Sequence, residues 1–270
     1  MRHHLMAGAL AGAVLFTTGG LGAAEAWEKS TDPRRPADLF RRDSLTDNWF
    51  ALGQTLEQRG VSVALGLTQV YQLNLEGGLA THRRAGRYSG SYDLEVEFDL
   101  ERLFRLTGGT FFVLAEGSWS DGLDASSVGS LLGINDDAGG DRAIDVTETW
   151  YQQEWLGGRL IFRVGKIDLT GGFECRGCPA SFDGSAYAND EVTQFLSSSL
   201  VNNPTIPFPD NGLGVMVHAE PVEGFYVTAG AADAQADARE TGFRTAFHEE
   251  DHFFAAFEIG LAPALLGMPG

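Results

Sequence analysis

Between Tyr88 and Glu101 the chain alternates without a break. Tyr88, Gly90, Tyr92, Leu94, Val96, Phe98 and Leu100 are apolar or small. Ser89, Ser91, Asp93, Glu95, Glu97, Asp99 and Glu101 are polar, and mostly acidic. Successive side chains of a β-strand point to opposite faces, so period two predicts a strand with one oily and one charged face. Carboxylates two positions apart on one face lie roughly 7 Å from each other. Asp93, Glu95, Glu97 and Asp99 therefore repel, and a buried unpaired carboxylate costs several kcal/mol. A dry core on that face is excluded. Two environments satisfy the pattern: a sheet whose acidic face meets bulk water, and a membrane barrel whose oily face meets lipid while its acidic face meets a water-filled interior.

The same period recurs along the chain. Val61–Glu76 opens it, and Thr110–Ser120 follows the acidic strand, with Phe111 and Phe112 leaving its facing open. Ile144–Trp155, Arg159–Ile167, Gly212–Glu220, Phe225–Ala232 and His252–Leu261 bring the total to about eight strands. Upstream, Leu45–Gly60 reads as a helix capped by Thr46 or Asp47 and ended by Gly60. Between the strands, after the first hairpin, short and long connections alternate. Leu156–Gly158 and Pro221–Gly224 are tight, whereas Asp121–Ala143, Asp168–Asn211 and Asp233–Asp251 are long and polar. Short turns at one end and long loops at the other are the rhythm of an outer-membrane meander.

Charge and termini narrow the function. The net charge of −18 disfavours nucleic acid as a partner, because phosphates attract Lys and Arg. Residues 1–26 read as a cleaved export signal. Arg2, His3 and His4 form a basic start, Leu5–Phe16 an apolar stretch, and Ala24–Ala26 a small-x-small cleavage site. That stretch falls short of the roughly 20 residues a membrane helix requires. Residues 27–60 read as a linker and helix, and residues 61–270 as the strand-rich domain.

Several stretches together resemble the carbohydrate-selective outer-membrane porins of the OprB type. They are "LTDNWFALGQTLEQRGVSVALGLTQVYQLNLEGG", "YSGSYDLEVEFDLERL", "GGTFFVLAEGSWSDG", "GRLIFRVGKID" and "AYANDEVTQFLSSSLVNNPTIPFPDNGLGV". The resemblance implies an all-β, transmembrane antiparallel barrel of sixteen strands, with a short N-terminal helix and a long constriction loop. It implies passive diffusion of mono- or oligosaccharides through the outer membrane of a Gram-negative bacterium, in contact with outer-membrane lipid, as a monomer or homo-oligomer. About eight strands are present here, ending at "PALLGMPG", so an N-terminal half is expected.

Within that frame Asp93, Glu95, Glu97 and Asp99 are expected to line the pore. On the next clear strand Glu148, Trp150 and Gln152 share a face and are expected to join them. Arg163, Lys166 and Asp168 end the following strand, and Lys166 is one of two lysines, the other being Lys29. Sugars need many hydrogen-bond donors and acceptors, which these side chains supply. The long segment Asp168–Asn211 is the expected constriction loop. Asn189 or Asp190 would cap a short helix there. Its apolar face, Val192, Phe195, Leu196, Ser199 and Leu200, would pin it to the wall and leave Asp190, Glu191 and Gln194 toward the channel. A capped surface helix with no part in permeation is the other reading. Trp119 and Trp155 suit an interfacial girdle.

Cys175 and Cys178, in "CRGC", are expected to form a disulfide in an exported protein. No cofactor or metal is expected. "HEEDH" at His248–His252 has zinc-motif spacing but runs into a strand, where the helical geometry is lost. No phosphate loop or catalytic constellation is present, so an enzyme is not expected. A general or cation-preferring diffusion porin and a soluble exported glycan-binding β-sandwich are the competing readings.

Overall fold

The computed structural model describes residues 12–16, 52–80, 85–131, 133–135, 138–168, 211–237, 246–247 and 252–261. They form a single antiparallel sheet of 9 strands in the order β1 to β9, each paired with its sequence neighbours. The strands are β1 (Gly12–Phe16), β2 (Val61–Asn74), β3 (Ala85–Asp99), β4 (Gly109–Trp119) and β5 (Arg142–Trp155). They continue as β6 (Leu160–Asp168), β7 (Asn211–Val222), β8 (Phe225–Asp233) and β9 (Phe253–Leu261). The eight strands read from period two are β2–β9, with ends moved by a few residues. From β2 onward the shortest has 9 residues and the longest 15. A tilted strand needs about 9–11 residues to cross a bilayer.

The register explains why the alternation matters. Val61, Val63, Leu65 and Leu67 of β2 lie opposite Phe98, Val96, Leu94 and Tyr92 of β3. That row continues to Phe111, Val113, Ala115 and Gly117 of β4. The other face carries Ser62, Ala64 and Gly66 opposite Glu97, Glu95 and Asp93. The facing of β4 is thereby settled. Phe111 joins the oily face, and Phe112 lies opposite Glu97 on the polar one.

Burial is inverted relative to a water-soluble sheet. On β2 the apolar Leu65, Leu67 and Tyr71 are 39%, 43% and 47% exposed, while Thr68, Gln72 and Asn74 are buried. On β9 Phe253, Phe257 and Ile259 are exposed, and Phe254, Ala256 and Glu258 on the opposite face are half-buried. Val215 and Val217 of β7 face out, whereas Met216 and His218 are covered. A sheet in water would have lost roughly 25 cal/mol for each Å² of apolar surface left uncovered. In hydrocarbon the same arrangement carries no such penalty.

Connections sort by end. The turns at residues 156–159 and 223–224 lie at the same end as the β3–β4 connection, and β2, β4 and β8 finish at the other. At the short-turn end β3 stops at Asp99, two residues earlier than the period suggests. The Asp99 carboxylate accepts the Arg102 N–H at 3.0 Å and caps α2 (Leu100–Phe104). This cap ends the strand, since capping residues satisfy N–H groups that a helix start leaves free. Helix α1 (Leu52–Gln58) sits at the same end, where Arg102 Nη1 donates to the Glu57 carbonyl at 2.7 Å. It is the described part of the predicted Leu45–Gly60 helix. Among the described residues no helix is long and apolar enough to cross a membrane. Aromatic residues mark both ends of the oily face. Tyr71 and Tyr88 pair at 5.7 Å toward the long-loop end, and Phe98 and Phe111 at 6.0 Å toward the other. Trp119 closes β4 at the former end and Trp155 closes β5 at the latter.

Candidate functional site

The polar face of β3–β6 carries a connected group of side chains. Its frame is the pairing of Phe112 with Trp150, Leu114 with Glu148, and Thr110 with Gln152 across β4 and β5. Opposite Gln152, on β6, stands Arg163. Glu148, Trp150 and Gln152 thus share the face of Asp93, Glu95 and Glu97. A register shift between Leu114 and Ala115 alters the alternation below this group, which places Val146 opposite Ala115 and leaves Thr147 as the extra residue.

The contacts run in a chain. The Trp150 indole stacks on Phe112, with ring centres 4.8 Å apart, and its Nε1 donates to Glu148 Oε2 at 2.8 Å. The Arg163 guanidinium lies 4.2 Å from the centre of the indole ring. Arg163 also donates to Gln152 Oε1 through Nε at 3.1 Å and Nη2 at 2.9 Å. Gln152 Nε2 in turn donates to Glu154 Oε1 at 2.8 Å. Six polar or aromatic groups are therefore held by one another, which fixes their orientation. Trp150 also packs with the buried Ile167, Met216 and Ala232. Gly165, opposite Trp150, has φ 141°, and a side chain there would meet the Thr149 carbonyl and the Trp150 backbone. Only glycine suits both demands.

The acidic column lies beside this group. Across β4, Asp93 faces Glu116, Glu95 faces Leu114, and Glu97 faces Phe112. Asp99 stands apart, since it caps α2 and pairs with Arg102 Nε at 3.0 Å on the rim. Arg163 lies three strands from Asp99 through Thr110 and Gln152, roughly 14 Å at ordinary strand spacing. A column of negative charge and a fixed positive charge thus share one polar surface.

Lys166 lies elsewhere. It is opposite Thr149 and Leu213 rather than in the Trp150 row, it is 2% exposed, and its Nζ donates to the Val146 carbonyl at 2.8 Å. Asp168 ends β6 opposite Asn211. Asp190, Glu191, Gln194, Cys175 and Cys178 lie outside the described residues, as does most of the His248–His252 motif.

A second group on the polar face was absent from the sequence reading. His218 Nδ1 and Thr228 Oγ1 are 2.7 Å apart, the His218 ring stacks on Tyr226 at 5.5 Å, and Tyr226 donates to Glu258 Oε1 at 2.5 Å. Only the parity of β7, β8 and β9 taken together would have signalled it, because the members lie on three strands.

The family model of carbohydrate-selective porins, OprB family, matches residues 83–270. An uncharacterized protein of Aquifex aeolicus (strain VF5) is 31% identical over 140 residues, covering 48% of this chain and 42% of that protein. Among solved structures, the high pH structure of Pseudomonas putida OprB is similar, with TM-score 0.63 and 17% identity. That likeness covers 83% of this chain and 53% of that one. The chain thus spans about half the length of the relatives it matches. At that identity the likeness concerns the fold, an antiparallel membrane barrel.

Proposed function

Because the chain belongs to the carbohydrate-selective porin, OprB family, we propose that it contributes to a water-filled channel through which sugars diffuse passively across the outer membrane. The observation that carries this reading is the inverted burial. Oily side chains face outward along β2, β7 and β9, and the polar Thr68, Gln72, Asn74 and His218 lie on the covered side. Lipid replaces water as the outer solvent, and the acidic column with the Trp150–Arg163 group lines the aqueous bore. This family is one of channels rather than enzymes. Residues 1–26 serve as the export signal, so cleavage removes β1 and leaves β2 at that edge of the sheet, and Cys175 and Cys178 are bonded in the oxidising envelope.

Neutral sugars gain from fixed donors and acceptors that need no reorganisation when the solute arrives. Glu148, Gln152 and Arg163 provide them, and the carboxylates of Asp93, Glu95 and Glu97 add acceptors. Lys166 and Asp168 stand where the segment that follows β6 begins, and Asp190, Glu191 and Gln194 of that segment face the channel. The acidic column favours one second reading, a cation-preferring diffusion channel. A soluble glycan-binding sandwich does not fit an outward face of exposed Leu, Val and Phe.

Planar-bilayer conductance of the chain tests both, with glucose, maltose and succinate titrated in. The expected result is a concentration-dependent fall in current with the two sugars and little change with succinate. Current that neutral sugars leave unchanged would overturn the sugar reading, and absence of any current would overturn the channel itself.

A further inference from the structure

The described part of the β4–β5 connection, residues 120–131, 133–135 and 138–141, does not extend away from the sheet. It folds back over the polar face of β2 and β3. Gln72 Nε2 donates to the Ile134 carbonyl at 3.2 Å, and Asn74 Nδ2 donates to the Ser127 carbonyl at 3.2 Å. Asn135 Nδ2 donates to Ser89 Oγ at 2.8 Å. The backbone N–H groups of Leu79 and Ala80 converge on the same Ser127 carbonyl at 2.9 and 3.2 Å. Gln72 and Asn74 share a face with Arg87 and Ala85, and Ser89 lies opposite Val70. This is the face of the acidic column, not the face of exposed Leu65 and Leu67.

The docking is tight. Gln72, Asn74, Ser89, Ser127 and Asn135 are all at most 9% exposed, and Leu123 is 2% exposed. A methyl on Gly78 would come within 2.5 Å of the Ser127 carbonyl. The base of the loop is closed as well. Ser120 N donates to Asp141 Oδ1 at 3.0 Å, and Ser118 Oγ donates to the Gly140 carbonyl at 2.8 Å. Swinging the loop outward would exchange these buried bonds for bonds to water, at a net cost of about 0.5–1.5 kcal/mol each, and would uncover Leu123.

We propose that this loop is a fixed shelf on the β2–β3 wall that narrows the channel at its long-loop end and sets the size limit for sugars, with Asn74 and Asn135 as its positioning residues. The proposal rests on the channel reading above. It assigns size selection to a wall element set apart from the segment that follows β6.

The test compares the chain with its Asn74→Ala, Asn135→Ala double variant. Both are measured by single-channel conductance and by swelling of liposomes in mono-, di- and trisaccharides. Freeing the loop is expected to raise conductance roughly twofold and to raise trisaccharide entry relative to monosaccharide entry, as widening a constriction does. A double variant that keeps heat-modifiable gel mobility but shows unchanged conductance and an unchanged size limit overturns the shelf. Silence of the unaltered chain would instead overturn the channel. Should the double variant fail to acquire the folded mobility, Ser89→Ala removes only the acceptor of Asn135. The same shift at smaller amplitude is then expected, and an unchanged size limit overturns the proposal.

Discussion

Arg163 holds its guanidinium 4.2 Å above the Trp150 ring, whose edge nitrogen is bonded to Glu148. The tryptophan thereby holds a cation over its face and an anion at its edge. Replacing Arg163 by Met keeps the apolar stem and removes both the ring contact and the two bonds to Gln152. A cation over a desolvated indole is worth about 1–2 kcal/mol. The expected outcome is a lower midpoint for the heat-induced gel-mobility shift, together with a reversal potential displaced toward cation preference in a KCl gradient.

Glu95→Gln with Glu97→Gln should move the reversal potential the other way. These carboxylates sit two apart on the polar face, facing Leu114 and Phe112, with Ala64 and Ser62 on the far side. No cationic partner stands directly across from either. Removing both charges is expected to lower the ratio of cation to anion permeability by roughly threefold, equivalent to about 0.7 kcal/mol. Folding should be unaffected or improved, because the repulsion is relieved.

Leu67→Arg tests which solvent touches the outer face. Leu67 is 43% exposed, with Tyr92 opposite. In water an arginine there would be harmless. On a lipid face it costs about 2–4 kcal/mol near the bilayer centre. The expected result is a fall of that size in refolding equilibrium into lipid vesicles, and an unchanged equilibrium would contradict a membrane-facing surface.

Gly260→Ala should destabilise β9. A methyl there would run into the Tyr226 ring, which covers the glycine from the neighbouring strand and reaches Glu258 at 2.5 Å. Overpacking of this kind costs about 1–3 kcal/mol. Tyr226→Phe combined with Gly260→Ala should lose no more than the sum of the two single changes, because the larger effect is the displaced ring. A double-variant cycle on thermal midpoints measures it.

Most of the strand plan was legible because period two is a local signal. Tyr88–Glu101 declares its faces by itself, and so does Phe253–Leu261. Phe111 and Phe112 did not, since two adjacent aromatics fit either parity and only pairing with β3 decides between them. By alternation alone Asp99 is one more member of the acidic column. Its carboxylate instead caps α2, a choice set by the N–H of Arg102 and not by the alternation. Lys166 bonds the backbone carbonyl of Val146, an acceptor that no side-chain pattern announces. The docking of residues 120–141 was hidden for another reason. Its main acceptors, at Ser127 and Ile134, are backbone carbonyls, which every residue carries. The mutual arrangement of Trp150, Gln152 and Arg163 was half visible: their parity could be read, but the stacking and the forked bond require the register.

Among the described residues every strand pairs only with its neighbours in sequence. Little chain must be gathered before the next contact forms at each tight turn, and loop-closure entropy grows only slowly across the longer ones. Assembly can therefore advance like a zipper, hairpin after hairpin, with one growing margin to be shielded at any moment. A helper that feeds this polypeptide into a bilayer has to guard a single moving seam, not a collapsed globule.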